Sequence, residues 1–231
     1  MFENTGCKKK AGQFSIEALF TDLTRNKDAN LKLLEFAKER DINIYENIND
    51  ILSLPEFDYI VSIQYNKILK AKHINHARKL AFNLHMAPLP EYRGCNQFSF
   101  AIVDGIKEFG TTLHKIDEGI DNGDIIAENR FNIPENCFVK ELYEITYKKS
   151  IELFENNILE ILNDNYALIS QKSLVQTRGT KTIYRKDIET LKEINLEWEK
   201  NKIERHIRAT LMPGFEPPFF KIDNKKIYFS F

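Results

Sequence analysis

The stretch NLHMAPLPEYRG, Asn83 to Gly94, sets an amide and an imidazole two residues apart and follows them with Pro88 and Pro90. Side chains alternate between faces along a strand, so this spacing points Asn83 and His85 the same way, and the prolines keep the strand from running on. An amide NH2 can donate to an oxygen that develops negative charge, and losing one such donor costs on the order of 10²–10³ in rate. An imidazole, with a reference pKa of about 6.5, can take a proton near neutrality without being much ionised beforehand. On its pattern alone, the pair also reads as two satisfied polar groups at a loop. Downstream, Asp117 to Gly123 (DEGIDNG) gathers acid and glycine in one short segment. Its Asp-Asn-Gly is good turn chemistry in its own right.

The elements that must position these groups follow from periodicity. Ser15 to Phe20 predicts a strand, Leu31, Leu33, Leu34, Phe36 and Ala37 a helix, and Ile42 to Tyr45 a second strand. Asp58 to Tyr65 and Leu80 to Leu84 are short apolar runs of the kind covered on both faces, with a short helix over His73 to Lys79 between them. Strands alternating with helices as far as Val103 predict an α/β fold with a doubly wound, mostly parallel, Rossmann-like sheet, whose ligands sit beyond the carboxyl ends of strands. Asn83 and His85 stand at such an end. Gly110 to Ile116 and Asp124 to Phe131 predict two further strands joined by DEGIDNG, and Leu142, Ile145, Leu153, Phe154, Ile158 and Ile161 a long helix over Val139 to Leu162. A helix over Lys202 to Thr210, a proline-barred segment Met212 to Phe220 and a strand Lys225 to Phe231 close the chain. The expected division is a main domain over residues 1–165 and a short α+β extension over 166–231.

The 231 residues, 42% of them hydrophobic, suffice for one such core. Lys plus Arg number 33 against 34 Asp plus Glu, a balance that offers no general capture of nucleic acid or anionic membrane. Cys7, Cys95 and Cys137 are widely spaced and form no CxxC pair, which fits a reducing compartment and signals no zinc site. No run approaches the ~18 apolar residues of a membrane span, so the expectation is a soluble, cytoplasmic, metal-free protein. His114 reads as a structural histidine inside a half-buried strand, His73, His76 and His206 as surface groups, and Cys95 as a packed or loop side chain.

NLHMAPLPEYRG, the helix-like NQFSFAIVDG after it and then FGTTLHKIDEGIDNGDIIAE together resemble the folate-dependent formyltransferases, most closely the sugar N-formyltransferases. The resemblance runs from about Ser15 to Asn163. It implies that Asn83, His85 and Asp121, the last within Asp121-Asn122-Gly123, form a catalytic triad moving a formyl group from 10-formyltetrahydrofolate to a neutral amine. Asp121 would orient His85 and favour its transient imidazolium, or organise a bridging water. The resemblance also implies a folate pocket between Ser62–Leu69 and the Glu118–Asp121 loop. Its contacts would be Lys67, Ile68, Leu69, Glu118, Ile120 and Asp121, although Lys67 reads equally as an ordinary loop lysine.

On the sugar-nucleotide side the candidates are Tyr92, Arg93, Asn96 and Gln97. Arg93 could grip a phosphate or brace the loop against Glu91 or the backbone. The late segments YRKD, HIRAT and MPGFEPP look most like enzymes acting on dTDP-linked 4-amino-4,6-dideoxy sugars, with dTDP-4-amino-4,6-dideoxyglucose as the expected partner. Tyr184, Arg185 and Arg208, with Phe215 and Phe219, would then form a pyrophosphate clamp or base platform, or the aromatics would be core or dimer anchors. A homodimer through the carboxyl-terminal part is implied in the same way. A methionyl-tRNA acceptor is set behind, since the sequence shows neither the long carboxyl-terminal domain of that enzyme nor a basic surface. One departure stands out: relatives usually begin with a buried strand and helix before the equivalent of SIEALF, but only 14 mostly polar residues precede Ser15. That strand is often central, so the expectation is unpaired backbone groups or a substitute segment, low stability, and as runner-up a catalytically silent folate- or nucleotide-binding protein.

Overall fold

The computed structural model describes residues 14–24 and 27–230. The residues before Phe14, on which the expected loss of a first strand falls, and Cys7 with them, lie outside the described residues. In chain order the elements are β1 (Ala18–Phe20), α1 (Lys27–Glu39), β2 (Asn43–Tyr45), β3 (Phe57–Ile63), α2 (Ala71–Ile74), β4 (Ala77–His85), β5 (Tyr92–Gly94) and α3 (Gln97–Asp104). They continue with β6 (Glu108–Lys115), β7 (Ile125–Asn132), α4 (Val139–Leu162), α5 (Gln171–Arg178), β8 (Lys181–Ile183), α6 (Glu189–Lys192), α7 (Lys200–Thr210), β9 (Phe219–Ile222) and β10 (Lys225–Tyr228). Two compact units divide the chain, Met1–Glu56 with Tyr65–His76, and Phe57–Gln64 with Ala77–Phe231.

In the first unit β1 and β2 run parallel, Ala18 opposite Asn43 and Phe20 opposite Tyr45, and the last two rings stack at 5.1 Å. Between them α1 buries Ala37 and Asn30. A 3-10 helix over Ile48–Ser53 begins at Asn47, whose side chain accepts the Asn49 N–H, and buries Ile48 and Ile51. His73, expected at the surface, is buried at 3% exposure. Its Nδ1 accepts the Lys70 N–H at 3.2 Å while Nε2 stands 3.2 Å from Asn49 Oδ1, so both ring nitrogens are used inside the unit.

The second unit holds a four-stranded sheet in the order β3-β4-β6-β7. β3 and β4 run parallel, as strands joined through a crossover must, while β6 lies antiparallel to both β4 and β7. Helix α4 buries Val139, Leu142, Thr146, Ser150, Leu153 and Ile161, steps of three and four and then of two turns that keep one face on the sheet. Its hydroxyls bond inside the helix, Thr146 to Leu142 O and Ser150 to Thr146 O, both at 2.7 Å. Ser150 also meets the Thr111 hydroxyl of β6 at 2.7 Å, so helix and strand touch through small polar groups as well as apolar ones. Leu80, Phe82, Leu84 and Leu113 pack with Leu153 and Ile161, and a second cluster joins Tyr92, Ala101, Phe109, Leu142, Ile183 and Ala209.

Residues on both sides of the expected boundary at 165 and 166 share this unit. Ile125 and Ile169 exchange backbone hydrogen bonds at 2.8 Å, β5 pairs in parallel with β8, and Ile183 lies in the second cluster. His206 is also buried rather than on the surface, its Nδ1–H donated to Leu191 O at 3.1 Å and its ring 4.6 Å from that of Trp198. Phe219 is a core side chain at 5% exposure, whereas Phe215 is 70% exposed.

Candidate active site

β4 ends at His85, and the antiparallel register with β6 sets Asn83 opposite His114 and His85 opposite Thr112. His114 Nδ1 lies 2.8 Å from the Lys115 carbonyl, which can only accept, so Nδ1 carries the proton. The lone pair on His114 Nε2 then accepts an amide N–H from Asn83 at 3.1 Å. His85 donates Nε2–H to the Tyr92 carbonyl at 2.8 Å, leaving the lone pair of Nδ1 to face Asp121 Oδ2 at 3.6 Å. That distance is within ion-pair reach but too long for a direct hydrogen bond. Asp121 Oδ1 stands 3.5 Å from His114 Nε2, so the carboxylate lies between two imidazoles. Asn83, His85 and Asp121 thus come together, with His114 touching the first and the last.

The loop from β6 to β7 delivers Asp121 by strained and crowded backbone. Asp121 itself has φ 47°, in the left-handed region. A Cβ on Gly123 would come within 1.9 Å of the Lys115 carbonyl oxygen, so only glycine lets the loop close there. The Gly94 N–H donates to Asp121 Oδ2 at 2.9 Å, and Gly94, at φ +89°, would bring a Cβ to 2.1 Å from Ile183 O. Gly123→Ala must therefore displace the loop that carries Asp121, and misplacement on that scale lowers rates by up to about 10²-fold. We expect kcat of Gly123→Ala to fall on the order of tenfold or more. A steady-state rate equal to that of the parent would contradict the tight closure.

Electrostatics separate the two central groups. Burial alone would raise the Asp121 carboxyl, but the positive charge that His85 or His114 gains on protonation and the Gly94 N–H outweigh it and hold the carboxyl well below the usual carboxylate range. Burial pushes His85 below its ordinary value against the opposing pull of Asp121, so His85 is a neutral base beside an anion. Burial also lowers His73 and His206. Unfolded, each of the three takes up a proton as the pH falls through about 6.5, whereas the folded protein resists uptake until lower pH. Stability from these groups is therefore complete above about pH 6.5 and is lost as the pH drops through the lowered folded values. Calorimetry should show the thermal midpoint falling on acidification from about pH 7.5 to 5.5; a midpoint that stays flat or rises would contradict this. The Cys137 thiol is pushed up to about 12 by burial and then by Glu141, which removes it as a nucleophile.

The remaining candidates fall into three groups. Lys67, Ile68 and Leu69 belong to the first unit, where Lys67 Nζ donates to Glu46 O at 3.2 Å and Ile68 is 71% exposed. Glu118, Ile120 and Asp121 belong to the second, where Glu118 O accepts from Asn122 Nδ2 at 2.9 Å. Around β5 and β8, Asn96 donates Nδ2 to the carbonyls of Tyr184 and Arg185, both at 3.1 Å, and the Tyr184 side chain stays half exposed. Arg93 neither grips Glu91 nor stands free: Nε and Nη2 donate to Gln171 Oε1 at 3.0 and 2.7 Å.

Tyr92 is a correction to its assignment as a substrate contact. Its ring is buried beside Phe109 and its hydroxyl donates to Asp104 Oδ2 at 2.9 Å, so it offers its carbonyl to His85 and no phenol to a ligand. Gln97 is buried too, near Met86 O, and Arg208 lies on α7 with Nε buried and without a hydrogen-bond partner. His114, which the sequence marks only as a structural histidine, and Gln171, which it does not mark at all, belong to this cluster. The available signal for His114 was its place seven residues before Asp121 on a period-two strand; Gln171 carried none.

Among the described residues no group of three or more His, Cys, Asp or Glu could hold a metal ion, and no helix is long and apolar enough to cross a membrane. The sequence profile described as formyl transferase matches residues 10–158, and the chain belongs to that family. The GDP-perosamine N-formyltransferase of Brucella melitensis is 28% identical over 171 residues, 74% of this chain and 63% of that protein. The chain thus spans somewhat under two thirds of the length of that relative. A methionyl-tRNA formyltransferase of Clostridium novyi is 27% identical over 224 residues, covering 91% of this chain and 69% of its own. Among solved structures, the N-formyltransferase of Helicobacter canadensis, crystallised with folinic acid and dTDP-3-aminofucose, superposes with a TM-score of 0.70 at 29% identity. It covers 84% of this chain and 69% of that one.

Proposed function

We propose that the chain is an N-formyltransferase that moves the formyl group of 10-formyltetrahydrofolate to the amine of a nucleotide-linked amino sugar, with dTDP-4-amino-4,6-dideoxyglucose as the first acceptor to test. The observation that carries the reading is the meeting of Asn83, His85 and Asp121 at the end of β4. When bound, the folate supplies an activated formyl carbon, and the groups at this site fit that chemistry. One N–H of Asn83 is given to His114, which fixes the amide plane and leaves the other N–H for the formyl oxygen. His85 Nδ1 accepts a proton from the attacking amine and gives it up to the departing folate nitrogen as the carbon–nitrogen bond to folate breaks, and Asp121 stands beside it as the counter-charge. The Tyr92 carbonyl holds the ring by its other nitrogen.

Glu118, Ile120 and Asp121 are assigned to the folate, and Arg93, Asn96, Tyr184, Arg185 and Arg208 to the sugar nucleotide. The Helicobacter canadensis neighbour, crystallised with folinic acid and dTDP-3-aminofucose, supports the pairing of these two ligand classes. The reading includes a cytoplasmic homodimer formed through residues 166–231, whose product would serve a surface polysaccharide.

The test is to incubate the protein with 10-formyltetrahydrofolate and the dTDP-linked 4-amino sugar, its 3-amino isomer or methionyl-tRNA, following the acceptor by mass. Gain of one formyl group on an amino sugar supports the reading. Gain on methionyl-tRNA alone would transfer it to the second acceptor class, which the Clostridium novyi relative favours. Folate binding without any gain of formyl would leave a silent binding protein.

A further inference from the structure

Gln171 opens α5, in the segment that follows the long helix, and is 1% exposed. Every hydrogen-bonding position of its amide is occupied. Oε1 accepts two N–H groups from Arg93, at 3.0 and 2.7 Å, and Nε2 donates to the carbonyls of Asp121 at 2.9 Å and Gly123 at 2.7 Å. An amide has two acceptor lone pairs and two donors, so this planar group is fixed from both ends. Its own position is set two residues earlier, where Ile169 and Ile125 exchange backbone hydrogen bonds at the start of β7. Arg93, held at one end, precedes Gly94, whose N–H donates to the Asp121 carboxylate; the other end grips the backbone of that same aspartate. Gln171 therefore bridges the two backbone segments between which the carboxylate is suspended.

We propose that Gln171 is the positioning residue of the site: it locks the Asp121 loop to β5 and so keeps the carboxylate beside His85. This rests on the formyl-transfer reading for its effect on rate, but not for its effect on His85. A buried amide that merely satisfied nearby polar atoms would alter stability when removed and leave the surviving folded protein's imidazole and turnover as they were. A positioning amide alters both. Gln171→Met removes every hydrogen bond with little change in volume. Gln171→Glu keeps an acceptor for Arg93 but sets a carboxylate oxygen against the Asp121 and Gly123 carbonyls, so it breaks the loop end of the bridge selectively.

The experiment measures three quantities on the parent, Gln171→Met and Gln171→Glu: kcat and KM with 10-formyltetrahydrofolate and the amino sugar that the parent uses, the His85 imidazole titration by NMR, and the thermal midpoint. We expect kcat to fall about 10- to 100-fold in both variants with KM for folate within about threefold, because the reacting groups are misaligned rather than unbound. As Asp121 drifts away, the His85 titration should move to lower pH. An unchanged titration with parental kcat in either folded variant overturns the proposal. Should Gln171→Met fail to fold, Gln171→Glu decides alone. Should the parent transfer no formyl group, the functional reading falls, while the His85 titration still decides whether Gln171 positions the carboxylate.

Discussion

His85→Asn should leave a folded protein that still binds the sugar nucleotide and turns over about 10³-fold more slowly, the middle of the range for loss of a general base. Asparagine keeps a short polar side chain on the buried end of β4 but carries no lone pair basic enough to take the amine proton. Three features make the imidazole hard to replace. Its Nε2–H is committed to the Tyr92 carbonyl, its Nδ1 faces the carboxylate, and burial holds it neutral. Product mass under single-turnover conditions, together with calorimetric titration of the nucleotide, reads both halves of the expectation. A rate within a few-fold of the parent would remove His85 from the chemistry.

Asp121→Asn should lower kcat on the same order, about 10³-fold, by two routes that can be separated. The new amide can donate to His85 Nδ1 and occupy the lone pair that the reaction needs. It also deletes the negative charge that raises His85, so the imidazole becomes a weaker base still. The sign of the pH effect follows. In the parent, kcat/KM rises with pH as His85 loses its proton, levelling at a point below about 6.5. In Asp121→Asn the same acid limb should lie at lower pH. A profile measured between about pH 5 and 8 whose limb stays in place, or moves up, would sever Asp121 from His85.

The sequence made the ends of this arrangement readable and left its middle hidden. The long helix that the apolar spacing predicts over Val139 to Leu162 is found there, because that spacing is sustained over many turns. Asn83 and His85 share a face because the strand period is two, and the prolines mark where β4 stops. His114 looks merely structural in the sequence, since its partner depends on the register between β4 and β6, whose contacting residues are about thirty apart in the chain. That register is fixed by packing and carries no local signature. The three-residue strands β5 and β8 are too short for periodicity, so neither their parallel pairing nor the burial of the Tyr92 ring could be foreseen. No sequence pattern turns His73 and His206 inward, yet the ring of each is buried and hydrogen-bonded, His73 through both nitrogens and His206 through Nδ1.

The pairing of β5 with β8 bears on where the chain can be cut. A fragment ending at residue 165 retains every member of the Asn83, His85 and Asp121 cluster, yet it lacks β8, the partner of Gly94, and the Ile183 carbonyl that binds the Cys95 N–H. The shortest piece able to hold the carboxylate in place must extend at least through Ile183, so truncation between α4 and α5 should abolish the site although all four strands β3, β4, β6 and β7 stay in the chain.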